Sequence, residues 1–179
     1  MFPRNITLKN GASAVLRTAV PEDAPRILAY LRACAEETDF LLRVPEEWDI
    51  PVETEKALLQ DMARQTDQLM VVCDVNGEIA GTCQVVCMNR AKTRHRATVS
   101  IALRRAYWGQ GISGVMFEEM EAFARGRGVM QLELAYAQGN DRARRLYDRL
   151  GFVETGRGPD AIRLRDGTLL DEIFMVKKL

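Results

Sequence analysis

Two kinds of apolar spacing alternate along the chain, and the places where one gives way to the other mark out its elements. Ala14-Val15-Leu16-Arg17 reads as a short strand that stops before Pro21. From Glu22-Asp23 onward, Ile27, Leu28, Leu31 and Cys34 recur at helical intervals. Glu36 to Pro51 fits neither period: it is acidic and aromatic, with Glu36, Glu37, Asp39, Phe40, Glu46, Glu47 and Trp48, and predicts a loop or broken helix before a helix over about 52–64. Leu69–Val75 and Ile79–Met88 are β-rich, and Asn76-Gly77 between them is a two-residue hairpin signal. Ala97–Leu103 adds a third run, so an antiparallel meander of three strands is expected.

Helical spacing then returns. Over Gly111–Arg127, residues Ile112, Val115, Met116, Met120, Phe123 and Ala124 share one face, and Gly126 and Gly128 mark the end. Leu132–Ala135 predicts a short buried strand. Asn140 or Asp141 then caps a helix that turns Ala143, Leu146, Tyr147 and Leu150 one way and stops at Gly151. Phe152–Thr155 and Ile173–Val176 predict two closing strands, joined by a Gly-, Pro- and Arg-rich segment that turns at Asp166-Gly167. A meander followed by strands alternating with helices predicts an α+β fold of α/β/α layers, with a mixed, mostly antiparallel central sheet and helices on both faces. The 179 residues show no linker or repeat, so one domain over 1–179 is expected.

Composition narrows the function by exclusion. Lys plus Arg and Asp plus Glu both count 25, so no global field favours nucleic acid or an anionic membrane. No apolar stretch approaches the ~18 residues of a membrane span, and the start lacks a signal-peptide run, which predicts a cytoplasmic protein. Cys34, Cys73, Cys83 and Cys87 have neither zinc-site spacing nor disulfide-scaffold density, and no metal site is expected.

The sharpest local feature is Tyr107-Trp108-Gly109-Gln110-Gly111-Ile112-Ser113-Gly114, which leaves a strand and opens a helix. Glycine lets backbone approach a ligand closely, and the free N–H groups and dipole of a first helical turn attract phosphate oxygens, so the segment predicts a pyrophosphate cradle. A P-loop would need a lysine that is missing, and a dinucleotide fold would place the glycines after a first strand near the start. A tight glycine turn with no ligand remains the bland alternative, and a nucleotide-binding protein a weaker one.

A second motif lies downstream: Asn140-Asp141-Arg142-Ala143-Arg144-Arg145-Leu146-Tyr147-Asp148-Arg149-Leu150-Gly151-Phe152. It resembles N-x-x-A-x-x-L-Y-x-x-x-G-F, the second signature of the GNAT superfamily of acetyl-CoA-dependent N-acetyltransferases. Trp108–Ser113 is similar to that superfamily's first signature, Arg/Gln-x-x-Gly-x-Gly/Ala, with its central Gly111 kept and both ends changed. The resemblance implies that backbone groups of Ile101, Ala102 and Leu103 hold the pantetheine arm of acetyl-CoA. It implies that N–H groups of Gly109, Gln110, Gly111, Ile112, Ser113 and Gly114 hold its pyrophosphate, with Asn140 facing the arm. Tyr147 takes the place of the tyrosine that protonates the leaving thiolate. Glu133 is similar to the glutamate base of ribosomal-protein N-terminal acetyltransferases, although its spacing to Asn140 is longer. Thr98 stands where related chains carry another glutamate.

In the superfamily the segment after the first helix and the closing hairpin set acceptor choice. Glu37 and Phe40 are therefore candidate substrate-binding residues, and a small-molecule amine or a protein N-terminus is the expected acceptor. Arg157, Arg163 and Arg165 of the second segment suit a carboxylate, a phosphate or part of CoA. No cysteine is placed as an acyl carrier, which favours direct attack in a ternary complex. A non-catalytic CoA-binding sensor or interaction module is the alternative, and a homodimer is possible by likeness to relatives.

Overall fold

The computed structural model describes residues 3–179. Eight strands and four helices follow in the order β1 (Arg4–Thr7), β2 (Ser13–Thr18), α1 (Ala24–Glu37), α2 (Val52–Arg64), β3 (Gln68–Val75), β4 (Glu78–Cys87), β5 (Arg96–Leu103), α3 (Ile112–Arg125), β6 (Gln131–Ala137), α4 (Asp141–Arg149), β7 (Val153–Arg163) and β8 (Leu169–Lys178). The strands form one sheet in the order β1-β2-β3-β4-β5-β6-β8-β7. Every pairing is antiparallel except β5 with β6, so the mixed sheet expected from the pattern is present.

Helices cover both faces. Ile27, Tyr30 and Cys34 of α1 and Leu59 of α2 pack with Val72 and Ile79 on one side. On the other, Met116, Phe117 and Met120 of α3 and Tyr147 of α4 pack with Leu132, Phe152 and Met175. A 3-10 turn over Pro21–Asp23 leads into α1. Asp23, only 1% exposed, accepts hydrogen bonds from Arg17 at 2.6 and 2.7 Å and from the Val20 N–H at 2.9 Å. The helix entry is thereby tied to β2. Between α1 and α2 the acidic stretch is irregular apart from a 3-10 turn over Pro45–Trp48.

Two expectations change. Arg4–Thr7 is a strand, although its polar sequence gives no such signal, because pairing with β2 satisfies its backbone. The closing strands are also far longer than Phe152–Thr155 and Ile173–Val176. The Gly-rich segment becomes the outer strand of a hairpin whose register shifts between Glu154 and Gly156 and between Gly158 and Ile162. These irregularities absorb Gly and Pro at a sheet edge, where ladder bonds are not required on both sides.

Candidate active site

The sheet splits at its centre. Strands β5 and β6 pair in parallel only at Arg96, Ala97 and Thr98 with Gln131, Leu132 and Glu133, and beyond that point they diverge. β4 remains paired with β5 as far as Leu103. Because alternate residues of an antiparallel strand aim their N–H and C=O groups at the same neighbour, those of Val99 and Ile101 point away from β4 into the gap. Leu103 sends its C=O to the Trp108 indole N–H at 2.9 Å. Into the gap opens a cleft of about 930 Å³ lined by Ile101, Ala102 and Leu103, by Gly109 through Gly114, and by Asn140 and Tyr147.

The floor of that cleft is the start of α3. Gly111, its N-cap, sits at φ 92° with no side-chain cap, and Gly109 at φ 75°. Positive φ is strained for residues with a Cβ, so the turn needs glycine at both places. No heavy atom outside the adjoining chain lies within 4 Å of where a Cβ would stand on Gly109, Gly111 or Gly114. Uncapped N–H groups, a favourable dipole and open space fit a pyrophosphate, with Ile112 and Ser113 in the same first turn. Gln110 is committed elsewhere: its side-chain oxygen accepts the Asn10 N–H at 3.1 Å, so the β1–β2 turn braces the loop.

The second motif forms α4 and its cap. Asn140 caps α4 by accepting the Ala143 N–H at 3.1 Å. Tyr147 is 7% exposed in an aromatic cluster, with ring centroids at 6.0 Å from Phe117, 5.8 Å from Tyr136 and 5.9 Å from Phe152. Burial, and secondarily the neighbouring Tyr136, push its phenol up to about 12. Its hydroxyl has no hydrogen-bond partner among the described residues, and the residue lines the cleft.

Alternation along β6 sends Leu132, Leu134 and Tyr136 to the α3/α4 side, which leaves Glu133 and Ala135 on the opposite face. Glu133 stands at the last paired position before the split. It accepts from Arg96 Nη2 at 2.6 Å and Gln131 Nε2 at 2.6 Å, and also from Arg96 Nε. The Arg96 bonds hold its carboxyl below the usual range against a smaller opposing effect of burial. Glu133 and Arg96 line a second cavity of about 510 Å³, with Thr98, Thr155 and Phe174.

The two candidates from the acidic segment differ. Phe40 lines the main cleft and lies against Gly139. Glu37 also lines it, but its Oε1 accepts from Arg104 Nε at 2.8 Å and its Oε2 from the Arg105 N–H at 2.6 Å. Burial raises its carboxyl, and those two bonds more than offset this, so its pKa is lowered. The Arg104 and Arg96 partners escape a sequence reading because nothing in spacing marks which arginine meets which acid across the sheet. Tyr30 was equally hidden: its hydroxyl donates to the Ala102 C=O at 2.6 Å and accepts the Thr82 N–H at 3.1 Å, between β4 and β5.

All four cysteines are buried and unpaired. Burial pushes the Cys34 thiol up to about 11 and the Cys73 thiol up to about 12. Among the described residues no cluster of His, Cys, Asp or Glu could hold a metal ion, and no helix is long and apolar enough to cross a membrane.

Known proteins are similar to this chain in sequence and fold. The model of the acetyltransferase (GNAT) family matches residues 29–152. An L-methionine sulfoximine/L-methionine sulfone acetyltransferase of Pseudomonas aeruginosa is 28% identical over 165 residues, 91% of this chain and 93% of that protein. A GNAT-family acetyltransferase of Streptococcus pneumoniae superposes with a TM-score of 0.86 at 27% identity, covering 93% of this chain and 99% of that one. An acetyltransferase of Salmonella typhimurium, solved with its cofactor acetyl-CoA, shares the fold at a TM-score of 0.77 and 20% identity, over 93% of this chain and 94% of that one.

Proposed function

This chain belongs to the acetyltransferase (GNAT) family and uses acetyl-CoA, and from that premise we propose that it transfers the acetyl group to the primary amine of a small, amino-acid-like molecule by direct attack in a ternary complex. The carrying observation is that the two cavities share Val99 and Ala135 in their linings, at the split between β5 and β6. This shared wall supports a thioester laid along β5 on one side and an amine entering from the Glu133 side on the other.

Acetyl-CoA supplies the activated acyl group, and the chain's own residues do the rest. Backbone groups of the Ile101–Leu103 strand align the pantetheine arm, and N–H groups from Gly109 to Gly114 hold the pyrophosphate. Asn140 fixes the start of α4 beside the arm. The Tyr147 phenol, held at about 12, keeps its proton through neutral pH and donates a hydrogen bond to the sulfur as charge develops there. Glu133, ionised beside Arg96, accepts the amine's proton directly or through one water. Raised thiol values and burial argue against a cysteine carrier.

Two features support the acceptor class. The second cavity, about 510 Å³, falls within the roughly 300–1,000 Å³ usual for small-molecule sites. The Pseudomonas aeruginosa relative is named for amino acid derivatives. Phe40 forms a wall of the entrance and Glu37 braces it. The test is an amine panel assayed for free thiol release: α-amino acids including methionine sulfone, polyamines, amino sugars and peptides with free N-termini. Turnover of amino acids is expected. Turnover of peptides alone would move the acceptor to a protein N-terminus, and background rates throughout would overturn the reading.

A further inference from the structure

Leu134 and Met175 turn into the core under α3 and α4, so their chain neighbours Ala135 and Phe174 face the other side of the sheet. On that side α1 and α2 pack on β3 and β4, and further along Ala135 and Phe174 are exposed. The register lines up Ala135, Phe174 and Gly156 as one row across β6, β8 and β7. The Phe174 ring is thus flanked by a methyl group on one strand and bare backbone on the other. It leans over the glycines of β7, where a Cβ on Gly156 would stand 4.0 Å from the ring and one on Gly158 3.6 Å. The residue remains 40% exposed and lines the second cavity.

A large apolar ring left open on a floor of small residues, inside a cavity of small-molecule size, is a surface for a ligand to cover. Its place in the row says which part of the ligand. Ala135 belongs to the wall shared with the acetyl-CoA cleft, and Phe174 stands one strand spacing away, about 4.8 Å. That is roughly the span from an α-amine to the outer carbons of a norleucine-length side chain, so an amine at the shared wall lays its side chain over the ring. Charge sets the rest. The charged lining residues of this cavity, among those described, are Arg96 and Glu133, and they are bonded to each other. A charged acceptor side chain would lose hydration there without a free partner, whereas an aliphatic one buries apolar area against the ring. We propose that Phe174 determines acceptor specificity, selecting amino acids with uncharged aliphatic side chains of about three or four heavy atoms over small or charged ones. The inference rests on the acceptor being an amino-acid-like amine held in this cavity.

The experiment measures kcat and KM at saturating acetyl-CoA for glycine, alanine, norleucine, glutamate and arginine, with the wild type, Phe174→Ala and Phe174→Leu. Melting temperatures and light scattering check folding and oligomeric state. The wild type is expected to favour norleucine over alanine by about 100-fold in kcat/KM, and over glutamate and arginine by at least as much. Phe174→Ala cuts the norleucine advantage about tenfold, through KM, and leaves alanine within about twofold, while Phe174→Leu, which keeps an apolar surface, falls between. A ring that only stabilised the sheet would lower norleucine and alanine alike. Equal losses, an unchanged advantage, or a wild type that prefers charged side chains or ignores the side chain would overturn the assignment of Phe174 and leave the amino acid acceptor standing. Dissociation of a dimer by Phe174→Ala, with equal losses for both acceptors, would overturn it by giving the ring to a second copy of the chain. No turnover of any amino acid would overturn the acceptor class and this inference with it.

Discussion

Tyr147 draws its chemistry from its neighbours. The aromatic cluster that fixes its ring also raises its phenol to about 12, so the group keeps its proton through neutral pH, and in the proposed role it donates a hydrogen bond. Tyr147→Phe is expected to lower kcat by about 10²-fold, equally from about pH 6 to about pH 9, because the phenol does not titrate in that window. A loss that grows with pH would contradict this. Glu133 shows the opposite adjustment: the Arg96 guanidinium lowers its carboxyl, so with Glu133 in the proposed role of base the acid limb of kcat/KM is expected below the ordinary glutamate range. Arg96→Gln removes that stabilisation and moves the limb to higher pH, and Glu133→Gln abolishes it. Asp23 carries stability. Burial alone would raise its carboxyl, but hydrogen bonds from Arg17, the Val20 N–H and Arg26 outweigh this and hold it at about 2 against 3.8 when free. The folded-state value is the lower one, so the contribution of about 2 kcal/mol is complete above the free value and drains away as pH falls from about 4 towards 2. Urea denaturation at stepped pH should show that slope in the wild type and a shallower one in Asp23→Asn.

At the scale of elements, the split strand β5 has one consistent neighbour. After Thr98 it leaves β6, and only β4 holds it. Tyr30 of α1 intervenes in that remaining ladder, its hydroxyl bridging the Thr82 N–H and the Ala102 C=O. The hydroxyl therefore sets how far the Ile101–Leu103 edge stands from β4. Tyr30→Phe keeps the ring but lets the two backbone groups close on each other. The expected result is a KM for acetyl-CoA raised by about three- to tenfold, the amine KM little moved, and a stability loss near the ~1 kcal/mol of one hydrogen bond. A variant with both KM values equally displaced would show that α1 acts on the whole core instead. Element boundaries followed local signals where these were strong. Asn76-Gly77 turned β3 into β4 with φ 52° and 87°, and Asn140 capped α4. They failed for β7, where strand length was set by its partner β8 and not by its own Gly and Pro content.

For the whole molecule, a net charge of zero conceals an uneven distribution. Lys9, Arg105, Arg142, Arg145 and Arg149 all line the main cleft, so the acetyl-CoA proposed to bind there would meet a positive field that the total does not register. Raising ionic strength from about 50 mM to about 300 mM should lower kcat/KM for acetyl-CoA severalfold with kcat little affected, since the Debye length shrinks below the width of such a cleft. Salt insensitivity would mean that backbone groups alone hold the cosubstrate. The sequence by itself determined the layered sheet, the glycine turn into α3 and the Asn140 cap, because periodicity, positive-φ glycines and capping act over a few residues and are written where they act. It could not determine that β5 and β6 part after Thr98 and Glu133, which arginine neutralises Glu37 or Glu133, or that Tyr30 reaches across to Ala102, 72 residues away. Those are long-range pairings, chosen by which strands lie side by side and by the cost of burying an unpaired charge or backbone group, and only the assembled fold decides them.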